Sequence, residues 1–161
     1  MPHLVLGSEC LRNLKVVFDD PADGWVGLKL SQGNEVVEVI ASYTPYDSFL
    51  DLIEALYNLF RYEGDCKVIW NEEPKESEFR FRRNGSVVSL DVLEFPDHRR
   101  VLQPTSRFKT TGSFEEVALP FWRALRSLQG RFSVDELNVR LHRNFPQKEM
   151  EGLTSILNVS S

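Results

Sequence analysis

The chain is poor in several of the residues and patterns that mark specialised proteins. Its two cysteines, Cys10 and Cys66, stand alone in 161 residues, with no second Cys or His nearby at metal-ligand spacing. That argues against a disulfide framework and against a Cys/His zinc module, so reduced thiols are expected. No apolar run approaches the roughly 20 residues of a membrane-spanning helix. The opening, MPHLVLGSEC, has neither a basic n-region nor a long apolar h-region. A cytoplasmic protein without membrane association is expected.

Chemical motifs are scarce too. His3, His98 and His142 are far apart and form no H-E-x-x-H pattern. There is no G-x-S-x-G elbow, no G-x-G-x-x-G and no Walker-type loop. Asp19, Asp20 and Asp23 lack the alternate spacing of a calcium loop and are expected to serve a turn. Glu72, Glu73 and Glu76 flank Pro74 between two expected strands. A carboxylate pair for glycoside chemistry is held several ångströms apart around a substrate, so adjacent acids here read as a solvated loop. Enzymatic activity is the less expected class, with no catalytic residue, metal or cofactor assigned. The enzyme or small-molecule-binding alternative would gather acids such as Glu73 and Asp91 in a cleft.

What the chain does have is the composition of an ordinary soluble protein, 42% hydrophobic and 27% charged, at a length that suits one core. Its net charge of −5 is uneven: residues 1–65 hold eleven acids and four bases, residues 66–112 seven acids and nine bases, and the rest six of each. Nonspecific binding to phosphate backbones needs concentrated Lys and Arg, so a nucleic-acid role, which would fall to the C-terminal helices, is not expected.

Period-two patterns dominate the first two thirds. The segments 14–18, 25–31 and 35–42 read as a meander of three strands, with D19-D-P-A-D-G24 and Q32-G-N34 as turns. Pro45 halts the third strand and Asp47 is placed to cap a helix. Phe49, Leu52, Ile53, Leu56, Leu59 and Phe60 then share one face of that helix, which ends near Gly64. Cys66, Val68 and Trp70 suggest a fourth strand. Phe79 and Phe81 alternate with Glu78, Arg80 and Arg82 up to Asn84-Gly85, the signature of a type I′ hairpin. Folding there would set Phe81 against Val88 and Phe79 against Leu90, with Ser89 and Asp91 across the charged face. Segment 98–111 is either an edge strand or an ordered loop, because Pro104 argues against a central position.

Beyond Gly112 the spacing becomes helical. S113-F-E-E116 and S133-V-D-E136 are capping boxes, Pro120 predicts a kink or restart, and Pro146 opens a last helix bearing Met150, Leu153, Ile156 and Leu157. Leu137, Val139 and Leu141 also alternate like a strand, but the capping box favours a helix. The expected fold is α+β: an antiparallel sheet of six to seven strands, one central helix packed on it, and two to three C-terminal helices. Residues 1–112 would form the sheet domain and 113–161 a helical segment packed on the same core.

The basic residues of the hairpin and of the following segment, Arg80, Arg82, Arg99, Arg100 and Arg107, are the candidate binding residues. They suit an acidic protein partner, and a homodimer is also compatible. Two stretches carry resemblances. W25-V-G-L-K-L, A41-S-Y-T-P-Y-D-S-F-L-D-L-I-E-A-L56, V68-I-W-N-E-E-P and F79-R-F-R-R-N-G resemble a group of small uncharacterised bacterial proteins, some of a kind found near polymorphic-toxin immunity genes. That resemblance spans residues 14–100 and implies no known catalytic residues; the lack of a reactive constellation, with the uneven charge, leads to the expectation of a noncatalytic bacterial interaction module, immunity-type or regulatory. L125-R-S-L-Q-G-R-F-S-V-D-E-L137, with F145-P and Leu153 to Leu157, resembles the helical part of PqqD-type winged-helix domains, which implies peptide holding.

Overall fold

The computed structural model describes residues 13–159, so His3 and Cys10 lie outside the described residues. Strands β1 (Lys15–Phe18), β2 (Trp25–Gln32) and β3 (Glu35–Ser42) precede helix α1 (Ser48–Arg61). Strands β4 (Gly64–Asn71), β5 (Glu76–Asn84), β6 (Val87–Phe95) and β7 (Thr105–Gly112) follow. Helices α2 (Phe114–Val117), α3 (Leu119–Arg131), α4 (Val134–Leu141) and α5 (Gln147–Val159) complete the chain. The strands form one seven-stranded sheet in chain order, with every neighbouring pair antiparallel. The fold is α+β.

Two halves of this meander meet at a narrow joint. β2 and β3 pair along their whole length, as do β4 and β5, whereas β3 and β4 share only the Ser42–Asn71 register pair. Alternation sends Val26, Leu28, Leu30, Val37, Val39, Val68, Trp70, Phe79, Phe81, Leu90, Val92 and Phe108 to one face, where all are buried. Phe49 of α1 joins that face to the helices: its ring lies 5.2 Å from Phe18, 5.9 Å from Trp70 and 5.5 Å from Phe145. Phe121 of α3 stands edge-on to Phe81 at 5.3 Å. One continuous hydrophobic cluster thus includes residues from the sheet, α1 and all four C-terminal helices.

The ends of α1 are closed by side chains. The Asp47 carboxylate accepts from Leu50 N at 3.2 Å, and at the other end Arg83 Nη1 donates to the carbonyls of Leu59 and Phe60 at 3.0 and 2.9 Å. Ser113 and Ser133 both form complete capping boxes, with Glu116 and Glu136. In α4, Leu137 and Leu141 are buried four residues apart while Val139 is 74% exposed, so the helical reading of that stretch holds.

Some expectations need correction, and others that left alternatives open are decided. The β5–β6 hairpin pairs Asn84 with Val87, which sets Phe81 against Leu90 and Phe79 against Val92, two residues along β6 from the expected partners. The loop is Gly85-Ser86, and among its residues only Gly85 has positive φ, +65°, as type II′ requires and type I′ does not. A shift of two preserves the face of every side chain. Segment 98–111 is both loop and strand, β7 being the sheet's far edge from residue 105. The chain restarts at Leu119 with Pro120 in the first turn, where a missing N–H costs nothing, and the one-turn α2 raises the C-terminal helices to four. Glu76 does not belong to a solvated loop: it begins β5 and is buried.

Candidate functional site

The outer face of the sheet is the one turned away from the hydrophobic cluster. In the β4–β7 half its rows can be read across the strands from the register. Lys67, Arg80, Asp91 and Lys109 form one row, Asp65, Arg82, Ser89 and Thr111 the next, and Ile69, Glu78, Leu93 and Ser106 lie on the other side. A shallow basin of about 680 Å³ is lined by these charged groups, among them Asp65, Lys67, Glu78, Arg80, Arg82 and Asp91.

One end of the face is sealed by an arginine. The β6–β7 connection brings Arg100 over Glu76 and Glu78, the two acids that alternation would otherwise leave facing solvent. Arg100 Nη1 donates to Glu78 Oε1 at 2.6 Å, while Nε and Nη2 donate to Glu76 Oε1 at 3.2 and 3.0 Å. Its guanidinium stacks 3.9 Å from the centroid of the buried Phe95 ring. Tyr46 Oη donates to the other Glu76 oxygen at 2.5 Å, and Arg80 Nε donates to the other Glu78 oxygen. Every carboxylate oxygen of the two acids has a charged or phenolic donor, which is the condition for keeping two acids buried in one strand. Arg100 takes φ of +55° to reach them, so the backbone accepts an unfavourable conformation to make this contact.

The electrostatics follow from that geometry. Burial works against ionisation of Glu78, but the hydrogen bonds and charges of Arg100 and Arg80 outweigh it and hold the carboxyl below its usual value. The Arg100 guanidinium is opposed by desolvation and raised on balance by Glu78 and Glu76. The hydrogen bond to Glu76, with burial second, pushes the Tyr46 phenol up.

The candidate arginines therefore separate into two roles. Arg100 is consumed by the buried acids, with a quarter of its side chain exposed. Arg80 bridges the two regions, touching Glu78 while lining the basin with an exposed side chain. Arg82 lines the basin and forms a two-point contact with Asp65 at 2.7 and 3.2 Å, both partners exposed. Arg107 donates to Glu94 at 3.2 Å, and Arg99 is exposed and pairs with Asp97 within its own loop. Neither residue lines the basin.

Lys67 was missing from the candidates. It is exposed on β4, directly opposite Arg80 in the β4–β5 register, and forms no salt bridge among the described residues. Like charges placed opposite one another on an exposed sheet face repel. The alternation of Cys66, Val68 and Trp70 toward the core was the signal that puts Lys67 outside. Tyr46 carried no comparable signal, because its partner Glu76 is 30 residues away.

The acids of the alternative reading do not converge. Glu73 is exposed in the β4–β5 turn and does not line the basin that contains Asp91. Asp91 instead accepts from Ser106 Oγ at 2.7 Å and faces Lys109 at 4.0 Å. His98 and His142 are both exposed, and among the described residues no three His, Cys, Asp or Glu side chains are grouped to hold a metal ion. The Cys66 thiol lies on the inner side of β4, opposite Phe81, and burial followed by the Asp65 charge pushes its pKa up. No helix among the described residues is long and apolar enough to cross a membrane. Comparison with protein-family models, curated proteins and solved structures finds no match.

Proposed function

We propose that the chain is a protein-interaction module whose β4–β7 outer face binds an acidic segment of a partner protein. The observation that supports this most is the Lys67–Arg80 pair, two cations directly opposed on an uncovered sheet face, with Lys109 in the same row. Arg80 is paired with Glu78 and Lys109 faces Asp91, so Lys67 is the cation of that row without a salt bridge among the described residues, and a partner's carboxylate would offset it. Arg82 and Asp65 set a second sign beside it, which would favour one orientation of a partner over its reverse.

The buried Arg100 lattice has a supporting role in this reading. Together with Arg80, it offsets the charges of Glu76 and Glu78 on the floor of a face that would otherwise repel an acidic ligand. An immunity-type or regulatory role in a bacterium is the biological setting this reading proposes, on the absence of a reactive constellation beside an uneven charge distribution.

The test is affinity capture from native-host lysate with the wild type and with the Lys67→Glu/Arg82→Glu variant, across a salt series. A saturable protein partner that the variant loses, and that weakens with salt, supports the reading. Capture of the same proteins by both forms, or turnover in a substrate screen with no partner found, ends it.

A further inference from the structure

The other half of the outer face has a different character. On β1, β2 and β3 the register places Val17, Trp25, Val36 and Ile40 on the side away from the core, beside Lys15, Lys29, Glu38 and Ser31. Val36 and Ile40 are 56% and 59% exposed, and Val17 and Trp25 are exposed as well. Isolated exposed apolar side chains are normal, but these four sit on three adjacent strands of one face. The hydrophobic pattern of the meander does not require them, since Val26, Leu28, Leu30, Val37 and Val39 already fill the inner side.

From this we infer that the β1–β3 outer face is the interface between two copies of this chain, related by a two-fold axis. An isologous contact requires a surface that matches itself, and three features of this patch do so. Its charges balance: Lys29 stands opposite Glu38 in the β2–β3 register, and neither forms a salt bridge among the described residues. A two-fold axis near that pair brings each Lys29 to the Glu38 of the other copy. Its shape is also paired. A shallow hollow of about 100 Å³ is lined by Asp19, Gly27, Lys29, Glu38 and Ile40, among others. The Asp19 carboxylate occupies the place a Gly27 Cβ would take and forms one wall of the hollow, which is the space left beside it. The two-fold axis seats each Ile40 toward the hollow of its mate. Finally, Glu38 lies between Val36 and Ile40 on one strand, so apolar contact surrounds the charge pair and excludes water from it.

The occupant is a second copy, which offers the patch the same one cation and one anion, whereas a wholly acidic or wholly basic ligand would leave Lys29 or Glu38 unmatched. The interface uses other residues than the β4–β7 face, the two halves sharing one register pair, Ser42–Asn71, and approaching each other again where β3 nears β7, and it stands or falls independently of the proposed function.

Sedimentation velocity and light scattering over a concentration series measure this directly. The wild type is expected at twice the 18.6 kDa chain mass at high concentration. Ile40→Asp is expected to be a folded monomer, because the side chain it replaces is mostly exposed. Lys29→Glu and Glu38→Lys are each expected to weaken the dimer by about tenfold, and the combined swap to recover most of that loss. Far-UV circular dichroism checks folding of each variant, and the charge swaps decide the matter should Ile40→Asp not fold. A wild type that stays monomeric throughout, a dimer unaffected by Ile40→Asp, or a combined swap no better than the single changes would each overturn the inference.

Discussion

Arg100 and Glu78 lie 22 residues apart in the chain and are joined by a 2.6 Å hydrogen bond between Nη1 and Oε1. This contact, with the companion bonds to Glu76, fixes the β6–β7 connection to β5, and together with Arg80 it offsets the charge of an acidic strand end.

Removing Arg100 leaves two buried carboxylates short of their main donor. Arg100→Ala is expected to destabilise the protein by about 3 kcal/mol, the lower end for a broken buried pair because the guanidinium is a quarter exposed. Arg100→Lys should recover little of this, since an ammonium has neither the planar fork nor the ring stacking. Urea unfolding of the three proteins measures both effects.

The depressed Glu78 pKa makes a definite pH signature. Its folded value lies below its unfolded one, so the stabilisation is fully present above roughly pH 4.3 and is lost as pH falls through the folded value. Glu78→Gln should be less stable at neutral pH and show a shallower decline in acid. Urea midpoints measured down the pH scale check this, and parallel curves for the two proteins would contradict it.

The hairpin turn offers a conformational test. Gly85 has φ of +65° with open space where a Cβ would go, so Gly85→Ala is expected to cost about 1–2 kcal/mol from backbone conformation alone. Asn84→Ala should fall within about 0.5 kcal/mol of wild type, because Asn84 belongs to the strand and has no positive φ. Equal losses at both positions would restore the type I′ placement.

Phe121 reports on how the C-terminal helices are coupled to the sheet. Its ring lies edge-on to Phe81 at 5.3 Å and within 6.1 Å of Phe79. Phe121→Ala is expected to lower stability by about 3–5 kcal/mol while unfolding remains a single transition in thermal and urea melts. A second transition would show that the helices melt on their own.

Much of the fold was legible from local pattern. The meander, the amphipathic α1, the Asp47 cap and both capping boxes all depend on residues within a few positions of each other, which is where sequence periodicity carries information. The hairpin shows the limit. Alternation fixed which face Phe79 and Phe81 occupy, yet their partners depend on whether the loop is centred on Asn84-Gly85 or Gly85-Ser86. Both choices keep every apolar residue inside.

The site was less legible for a similar reason. Arg80 and Arg82 were recognisable as outward charges, and Lys67 obeys the same alternation. The fate of Glu76 is not a local matter: it is set by Arg100 and Tyr46, which come from distant loops, so the same triplet of acids reads as solvated until those partners are placed. Arg99 and Arg100 are adjacent and chemically alike, yet one is exposed and the other covers buried acids, a difference decided by the backbone at Arg100.

The claim on which the functional reading depends is that the β4–β7 outer face is the surface a partner covers. Amide hydrogen exchange of the chain, free and in complex with the captured protein, tests it most directly. The account predicts new protection in residues 65–67, 80–82, 89–91 and 106–109, with α3 to α5 unchanged. Protection confined to the C-terminal helices, with those strand segments exchanging as in the free protein, would contradict it.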